Sequence, residues 1–280
     1  MRLASKFHTK KRLGQNFLID PEALQNITDA LDIAPGDNVL EIGPGIGFLT
    51  RFLSAKGAKL HVVELDWECC INLKDLALPG VTVHQQDFLQ FDLASQPAHL
   101  KIAGNVPYQI TTPILCYIFG EIGAPSPWLH NVDKVVLTVQ KEVAERFVAK
   151  PGTSDYSKIT LLTKYFSDAE ILHVLPPDSF YPAPKVTSAV VAFTPLRQPP
   201  IECTNHKLLR QVIKAGFAQK RKMLRNNLSF LKQPLSELDK VFREMNLDPQ
   251  TRAERLSLQQ FARLTDLLDT LVKESTSGAT

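Results

Sequence analysis

The sequence predicts an α/β protein: a doubly wound, mostly parallel sheet followed by a small all-helical domain. Three observations carry this. Short apolar runs alternate with helical periodicities between residues 38 and 139. Glycines or carboxylates stand at the ends of successive runs. A proline-rich stretch, residues 194–200, then separates this region from a chain with helical spacing only.

The elements follow in order. Residues 1–13 hold Arg2, Lys6, Lys10, Lys11 and Arg12 and no acid. They lack periodicity and read as a basic arm. Asp20 is placed to cap a helix that Pro21 begins, and Leu24, Ile27 and Leu31 recur at helical spacing. Residues 38–42 form a strand that runs into glycines, and residues 48–56 a helix. Residues 60–64, 81–83, 100–103 and 134–139 are strands, with helices at 68–76 and 112–119. Such alternation means a parallel sheet covered by helices. Residues 170–172 and 189–193 are spaced to pair as a hairpin-like edge. Beyond the prolines, residues 207–216, 220–228, 236–245 and 257–271 read as helices. The expected domains are therefore 1–196, carrying the basic arm 1–13, and 197–273, with a frayed polar tail at 274–280.

Charge divides along the same line. Residues 1–194 hold 17 Lys/Arg and 20 Asp/Glu, net −3, whereas residues 195–280 hold 15 and 9, net +6. The second region favours an anionic partner. Apolar residues at 44% and charged residues at 22% exclude a disordered chain. None of the four cysteines (Cys69, Cys70, Cys116, Cys203) has C-x-x-C spacing, so neither zinc nor another metal is expected, and reduced thiols are. The basic N-terminus lacks an apolar run behind it, and no apolar run approaches membrane-spanning length. A cytoplasmic, monomeric protein without membrane contact is the expectation.

The first strand leads into Glu41-Ile42-Gly43-Pro44-Gly45-Ile46-Gly47. Glycines here let the backbone approach a ligand closely. A dinucleotide fingerprint would need glycine at position 48, where Phe48 stands. The pattern E-x-G-x-G-x-G instead resembles class I methyltransferases, whose sheet is Rossmann-like. Glu64 closes the second strand, where an acid accepts from ribose hydroxyls; a solvated strand end is the plain alternative. Asp87 closes the third strand and is placed to accept an adenine amine.

The fourth strand ends in Gly104-Asn105-Val106-Pro107-Tyr108. This N-x-P-Y pattern resembles methyltransferases that act on exocyclic amino groups of bases. Adenine N6 is a poor nucleophile because its lone pair is delocalised into the ring. The Asn105 side-chain oxygen and the Val106 carbonyl are positioned to accept one N6 hydrogen each, which stabilises the charge that develops on attack. Pro107 fixes the backbone, and Tyr108 offers a ring for the base to stack on. Phe180, in Phe180-Tyr181-Pro182-Ala183-Pro184-Lys185-Val186, is read as covering the base's other face, against the alternative that Phe180 and Tyr181 anchor the loop in the core.

Gln15-Asn16-Phe17-Leu18, EIGPGIGFLT, NVPY, QKEVAERF, FYPAPKV and GFAQKRKMLRNNL occur in that order. Together they resemble the small-subunit (16S) ribosomal RNA adenine dimethyltransferases, the family linked to kasugamycin sensitivity. The resemblance runs from about Lys10 to Leu264. It implies N6,N6-dimethylation of two adjacent adenines in the 3′-terminal hairpin of the small-subunit rRNA, within an immature 30S subunit, with S-adenosylmethionine as cofactor. It also implies that Asn16 and Leu18 close over the cofactor. Gly43 and Gly45 then lie in the glycine turn, Glu64 meets the ribose, Asp87 the adenine, and Asn105 adjoins the reactive methyl. Val106 stands where relatives usually carry Leu, and only its carbonyl matters.

Residues 206–225 hold Lys207, Arg210, Lys214, Lys220, Arg221, Lys222 and Arg225 and no acid. Contact with an RNA backbone is one reading; a solvated helix face is the other. Three rivals to the functional reading stand: a large-subunit rRNA methyltransferase, a DNA adenine methyltransferase, and a non-enzymatic assembly factor on the same fold. Arg252-Ala253-Glu254-Arg255-Leu256 argues against the first, the lack of a sequence-reading domain against the second, and the set Glu64, Asp87 and Asn105 against the third.

Overall fold

The computed structural model describes residue 10 and residues 14–277. Arg2, Lys6, Lys11 and Arg12 of the expected basic arm, and residues 278–280 of the expected tail, lie outside the described residues. The elements in chain order are β1 (Phe17–Leu18), α1 (Pro21–Ala30), β2 (Asn38–Ile42), α2 (Phe48–Ala55), β3 (Lys59–Glu64), α3 (Trp67–Asp75), β4 (Val81–Gln85), β5 (Leu100–Asn105) and α4 (Thr111–Phe119). Then come the two-residue strands β6 (Gly120–Glu121) and β7 (Ala124–Pro125), β8 (Val132–Gln140), α5 (Lys141–Val148), α6 (Lys158–Phe166), β9 (Ser167–Leu175), β10 (Phe180–Tyr181) and β11 (Ser188–Pro195). Four helices end the chain: α7 (His206–Gly216), α8 (Leu224–Asn227), α9 (Leu235–Glu244) and α10 (Leu258–Ser277).

The chain divides into two compact units, one comprising Met1–Gly120, Ser126–Glu145 and Ser167–Pro195, the other Glu121–Pro125, Arg146–Phe166 and Leu196–Thr280. The first is built on a seven-stranded sheet of order β4-β3-β2-β5-β8-β11-β9. Strands β4, β3, β2, β5 and β8 are parallel neighbours; β11 runs antiparallel between β8 and β9. Helix α1 starts where Asp20 and Pro21 predict, with the Asp20 carboxylate accepting from the N–H groups of Glu22 and Ala23. Its face Leu24, Ile27 and Leu31 is buried against the sheet strands' Val39, Leu60 and Val62. Cys69 and Cys70 are buried on α3, where loss of hydration pushes both thiols up, Cys70 to about 11.

The helical unit draws on more chain than residues 197–273. It takes in residues 146–166, where Tyr156, just ahead of α6, packs on Phe217 (6.2 Å between rings) and Phe217 on Phe261 (6.1 Å). Two sequence expectations change here. The predicted helix 220–228 shrinks to α8, because the chain turns between α7 and Met223. At the other end α10 stays helical to Ser277, past the start of the expected frayed tail. Among the described residues, no helix is long and apolar enough to cross a membrane.

Candidate active site

Parallel register brings the predicted strand ends together. Ile42, the last residue of β2, pairs with Val63 on one side and Gly104 on the other. Gly43, Glu64 and Asn105 each follow by one residue, so they meet at the carboxyl edge of three adjacent strands. This is where open α/β sheets bind ligands. A cavity of about 380 Å³ opens there. Asn16, Gly43, Gly45, Glu64, Asp87 and Asn105 all line it.

Backbone geometry explains the glycine turn. Gly45 has φ +58°, and a Cβ on it would lie 2.7 Å from the Phe17 ring, which forms another part of the wall. Gly104 answers a close approach from the other side: its Cβ would lie 2.8 Å from the Ile42 carbonyl.

Glu64 ties this turn to the next strand. Its Oε2 accepts from Gly45 N–H at 2.9 Å and its Oε1 from Asp66 N–H at 2.8 Å. Each carboxylate oxygen keeps a second lone pair for a hydroxyl in the cavity. Burial pushes the Glu64 carboxyl up, while the Asp66 and Gly45 N–H groups hold it down. Glu41, wholly buried in β2, goes further: burial carries it up to about 8, with the Glu64 charge adding to the effect. Asp87 Oδ1 caps the short 3-10 turn 88–90 through Leu89 N–H at 2.9 Å, which holds the carboxylate at the cavity wall.

Asn105 is oriented by a single bond. Its Nδ2 donates to the Asn16 carbonyl at 2.6 Å. One amide hydrogen is thereby engaged, and Oδ1 remains as an acceptor. Val106 is buried, and Pro107 (φ −56°) directs the chain into a short turn whose Pro107, Gln109 and Ile110 line the cavity.

Three of the expected site residues lie outside the wall of this cavity. Leu18 lies beside the 380 Å³ cavity: it lines a small adjoining space with Phe17, Gly43 and Asn105, and its side chain joins the core. Phe180 is 3% exposed, paired with Leu18 across β1–β10 and packed in the same core, which is the packing the anchoring alternative expects. Tyr108 is half-buried with its hydroxyl 2.6 Å from Ser188 Oγ, and it is its neighbours Pro107 and Gln109 that line the cavity. Lys10, counted with the basic arm, binds Asp66 at 2.6 Å and Glu68 at 3.2 Å, so its charge is already matched.

Sequence reasoning missed Asp66 and Gln15. Gln15 Nε2 donates to Asp66 Oδ2 at 2.9 Å, and Asp66 in turn caps α3 through Glu68 N–H. They clamp the segment carrying Asn16 beside the glycine turn. Asp66, next to Trp67 at a helix start, was legible as a cap; its long-range partners were not.

The seven predicted cations of residues 206–225 separate into two groups. Arg225 makes a two-oxygen contact with Asp239 (2.6 and 2.7 Å), and Arg210 pairs with Glu121. These two hold structure. Lys207, Lys214, Lys220, Arg221 and Lys222 are exposed, with Lys220 reaching the Ser154 carbonyl at 3.4 Å.

Asn105 stands in the wall of this carboxyl-edge cavity, whose lining among the described residues holds no Lys, Arg or His. Comparison with known proteins gives the family. The model of the ribosomal RNA adenine dimethylases matches residues 6–270. The chain belongs to that family. The ribosomal RNA small subunit methyltransferase A of Picosynechococcus is 41% identical over 276 residues, covering 95% of this chain and 99% of that protein. The protein of the same name from Aromatoleum aromaticum is 38% identical over 265 residues, covering 94% and 96%. A dimethyladenosine transferase from Plasmodium falciparum has the same fold, with TM-score 0.73 at 24% identity over 94% of this chain and 98% of that one. So does the 23S rRNA methyltransferase ErmE, with TM-score 0.69 at 24% identity over 91% and 100%. The dimethylase is thus a methyl-transferring enzyme on a class I methyltransferase fold that needs a methyl donor.

Proposed function

We propose that this dimethylase uses S-adenosylmethionine to dimethylate N6 of two adjacent adenines in the 3′-terminal hairpin of small-subunit (16S) rRNA. Its substrate is an immature 30S subunit, on which it works as a cytoplasmic monomer. Relatives at 38–41% identity named for the small subunit favour that substrate over the large-subunit rRNA of ErmE, which shares the fold at 24%.

The observation that carries the chemistry is Asn105. With one Nδ2 hydrogen engaged by the Asn16 carbonyl, Oδ1 is the acceptor this side chain offers to an amino group. The cavity also fits the cofactor. Among the described residues its lining holds Glu64 and Asp87 but no Lys, Arg or His, which suits a sulfonium better than a pyrophosphate. Glu64 would hold the ribose and Asp87 the adenine. Bound there, S-adenosylmethionine supplies an electrophilic methyl group. Asn105 Oδ1 and the Val106 carbonyl accept the hydrogens of the target amine, which frees its lone pair and stabilises the positive charge it acquires. The nitrogen becomes strongly acidic as that charge develops, so no general base is needed and the proton leaves to water. After one methylation a single N–H remains, so the second transfer keeps one of the two acceptors and depends more on how firmly the base is held.

The test is the stoichiometry of labelled methyl transfer to small subunits purified without these methyl groups. Two methyl groups on each of two adenines are expected. Saturation at one methyl per subunit would refute dimethylation of a pair.

A further inference from the structure

The helical unit carries a second cavity, about 470 Å³, wholly apart in sequence from the methyl-transfer site. Its wall begins with Gln211, Lys214 and Ala215, which share one face of α7 because they are three to four residues apart, and continues into Ala218 of the turn that follows. The opposite face of α7, with Leu209, Val212 and Ile213, is buried. Ala215 and Ala218 are too small to fill the floor, which leaves the groove open. Asn227 shapes the far side: its Nδ2 donates to the Gly216 carbonyl at 3.0 Å and the Gln219 carbonyl at 3.3 Å, stapling α8 to the turn after α7.

The chemistry of this wall is specific. Among the described residues it holds two lysines, side-chain amides and no carboxylate. Lys214 and Lys222 are exposed and make no ion pair among the described residues, unlike Arg210 and Arg225. Phe230 closes the groove with 41% of its surface exposed. An aromatic face, free amides and unpaired ammonium groups in one concavity match the three parts of a nucleotide: base plane, base edge and phosphate.

We propose that this groove captures an unpaired nucleotide of the RNA substrate. Its base lies on Phe230, its edge meets Gln219 or Asn226, and its flanking phosphates meet Lys214 and Lys222. This rests on the reading of the protein as an RNA methyltransferase and adds a base-holding anchor that does no chemistry. A solvated basic face would contact phosphate alone and be indifferent to the base.

Calorimetry of the full chain with two probes separates the cases: single-stranded hexauridylate, and an oligomer of equal length whose riboses carry no bases. Hexauridylate should bind about 5- to 150-fold more tightly, the range for stacking one base on an aromatic ring. Phe230→Leu should reduce hexauridylate to the level of the base-free oligomer; Phe230 is exposed, so the fold survives. Lys214→Gln and Lys222→Gln should weaken both probes and lower the slope of log affinity against log salt by about 0.7 each. Equal binding of the two probes, or a Phe230→Leu variant that still prefers hexauridylate, would overturn the proposal. Methyl transfer by the wild type to unmethylated small subunits is measured alongside. Adenine methylation with equal probe binding rejects the groove alone, and no adenine methylation rejects the underlying function.

Discussion

Replacing Asn105 separates its two jobs. The structure gives Nδ2 one partner, the Asn16 carbonyl at 2.6 Å, and leaves Oδ1 at the cavity wall. Asn105→Ala deletes the acceptor that strengthens as charge develops on the target nitrogen. Removing one such group typically lowers kcat by about 100- to 1000-fold. The Asn16 carbonyl also loses a donor worth roughly 1 kcal/mol, so the KM for S-adenosylmethionine should rise only about 5-fold. Asn105→Asp keeps one acceptor oxygen but sets the other, negatively charged, against the Asn16 carbonyl. That variant should lose cofactor affinity more than the alanine variant does, while retaining more of its kcat. The assay is steady-state methyl transfer to unmethylated small subunits with the methyl donor varied. An alanine variant with kcat near wild type and collapsed cofactor affinity would refute the catalytic role and leave Asn105 as a brace for Asn16.

Glu64→Gln leaves one of the two N–H groups of Gly45 and Asp66 facing an amide NH₂. An unsatisfied buried donor costs about 1–3 kcal/mol, so calorimetry should show cofactor binding roughly 5- to 150-fold weaker; unchanged affinity would reject the ribose-holding role. Glu41 is protonated in the folded protein up to about pH 8, against 4.5 when unfolded, so the folded state binds the extra proton. Its contribution to stability is full below the unfolded value and declines as pH rises between the two, by up to about 1.4 kcal/mol per unit. Glu41→Gln should flatten that part of the denaturation profile, and a slope equal to wild type would contradict the burial argument. Arg225→Ala should destabilise the helical unit by about 1–3 kcal/mol by stranding Asp239 in a partly buried site. Urea unfolding measures this, and a loss near zero would return Arg225 to the pool of free cations.

The strand ends were legible because each is a local signal. Asn38–Ile42 running into glycines, Glu64 closing an apolar run and Asn105 before a proline need only period-two alternation to be placed. What escaped was long-range. Nothing near Phe180 in sequence announces that it pairs with Leu18 in a two-residue ribbon, and that pairing decides that Phe180 is core. Arg225 reads as one cation among seven until Asp239, from the next helix, meets it. The helical unit's claim on residues 146–166 is similar: Tyr156 meets Phe217, and no periodicity links these two aromatics. The basic run around Lys220 was legible as charge but not as shape, since a continuous helix would have erased the groove that the turn after α7 creates.

The position of the methyl groups tests the central claim most directly. Small subunits lacking these modifications are incubated with the wild-type chain and labelled S-adenosylmethionine, and their rRNA is digested and mapped by mass. N6,N6-dimethyladenine at two adjacent positions of the 3′-terminal hairpin, and loss of both with Asn105→Ala, is the predicted result. Methyl groups on any other base, or dimethyladenine formed at full rate by the alanine variant, would contradict it.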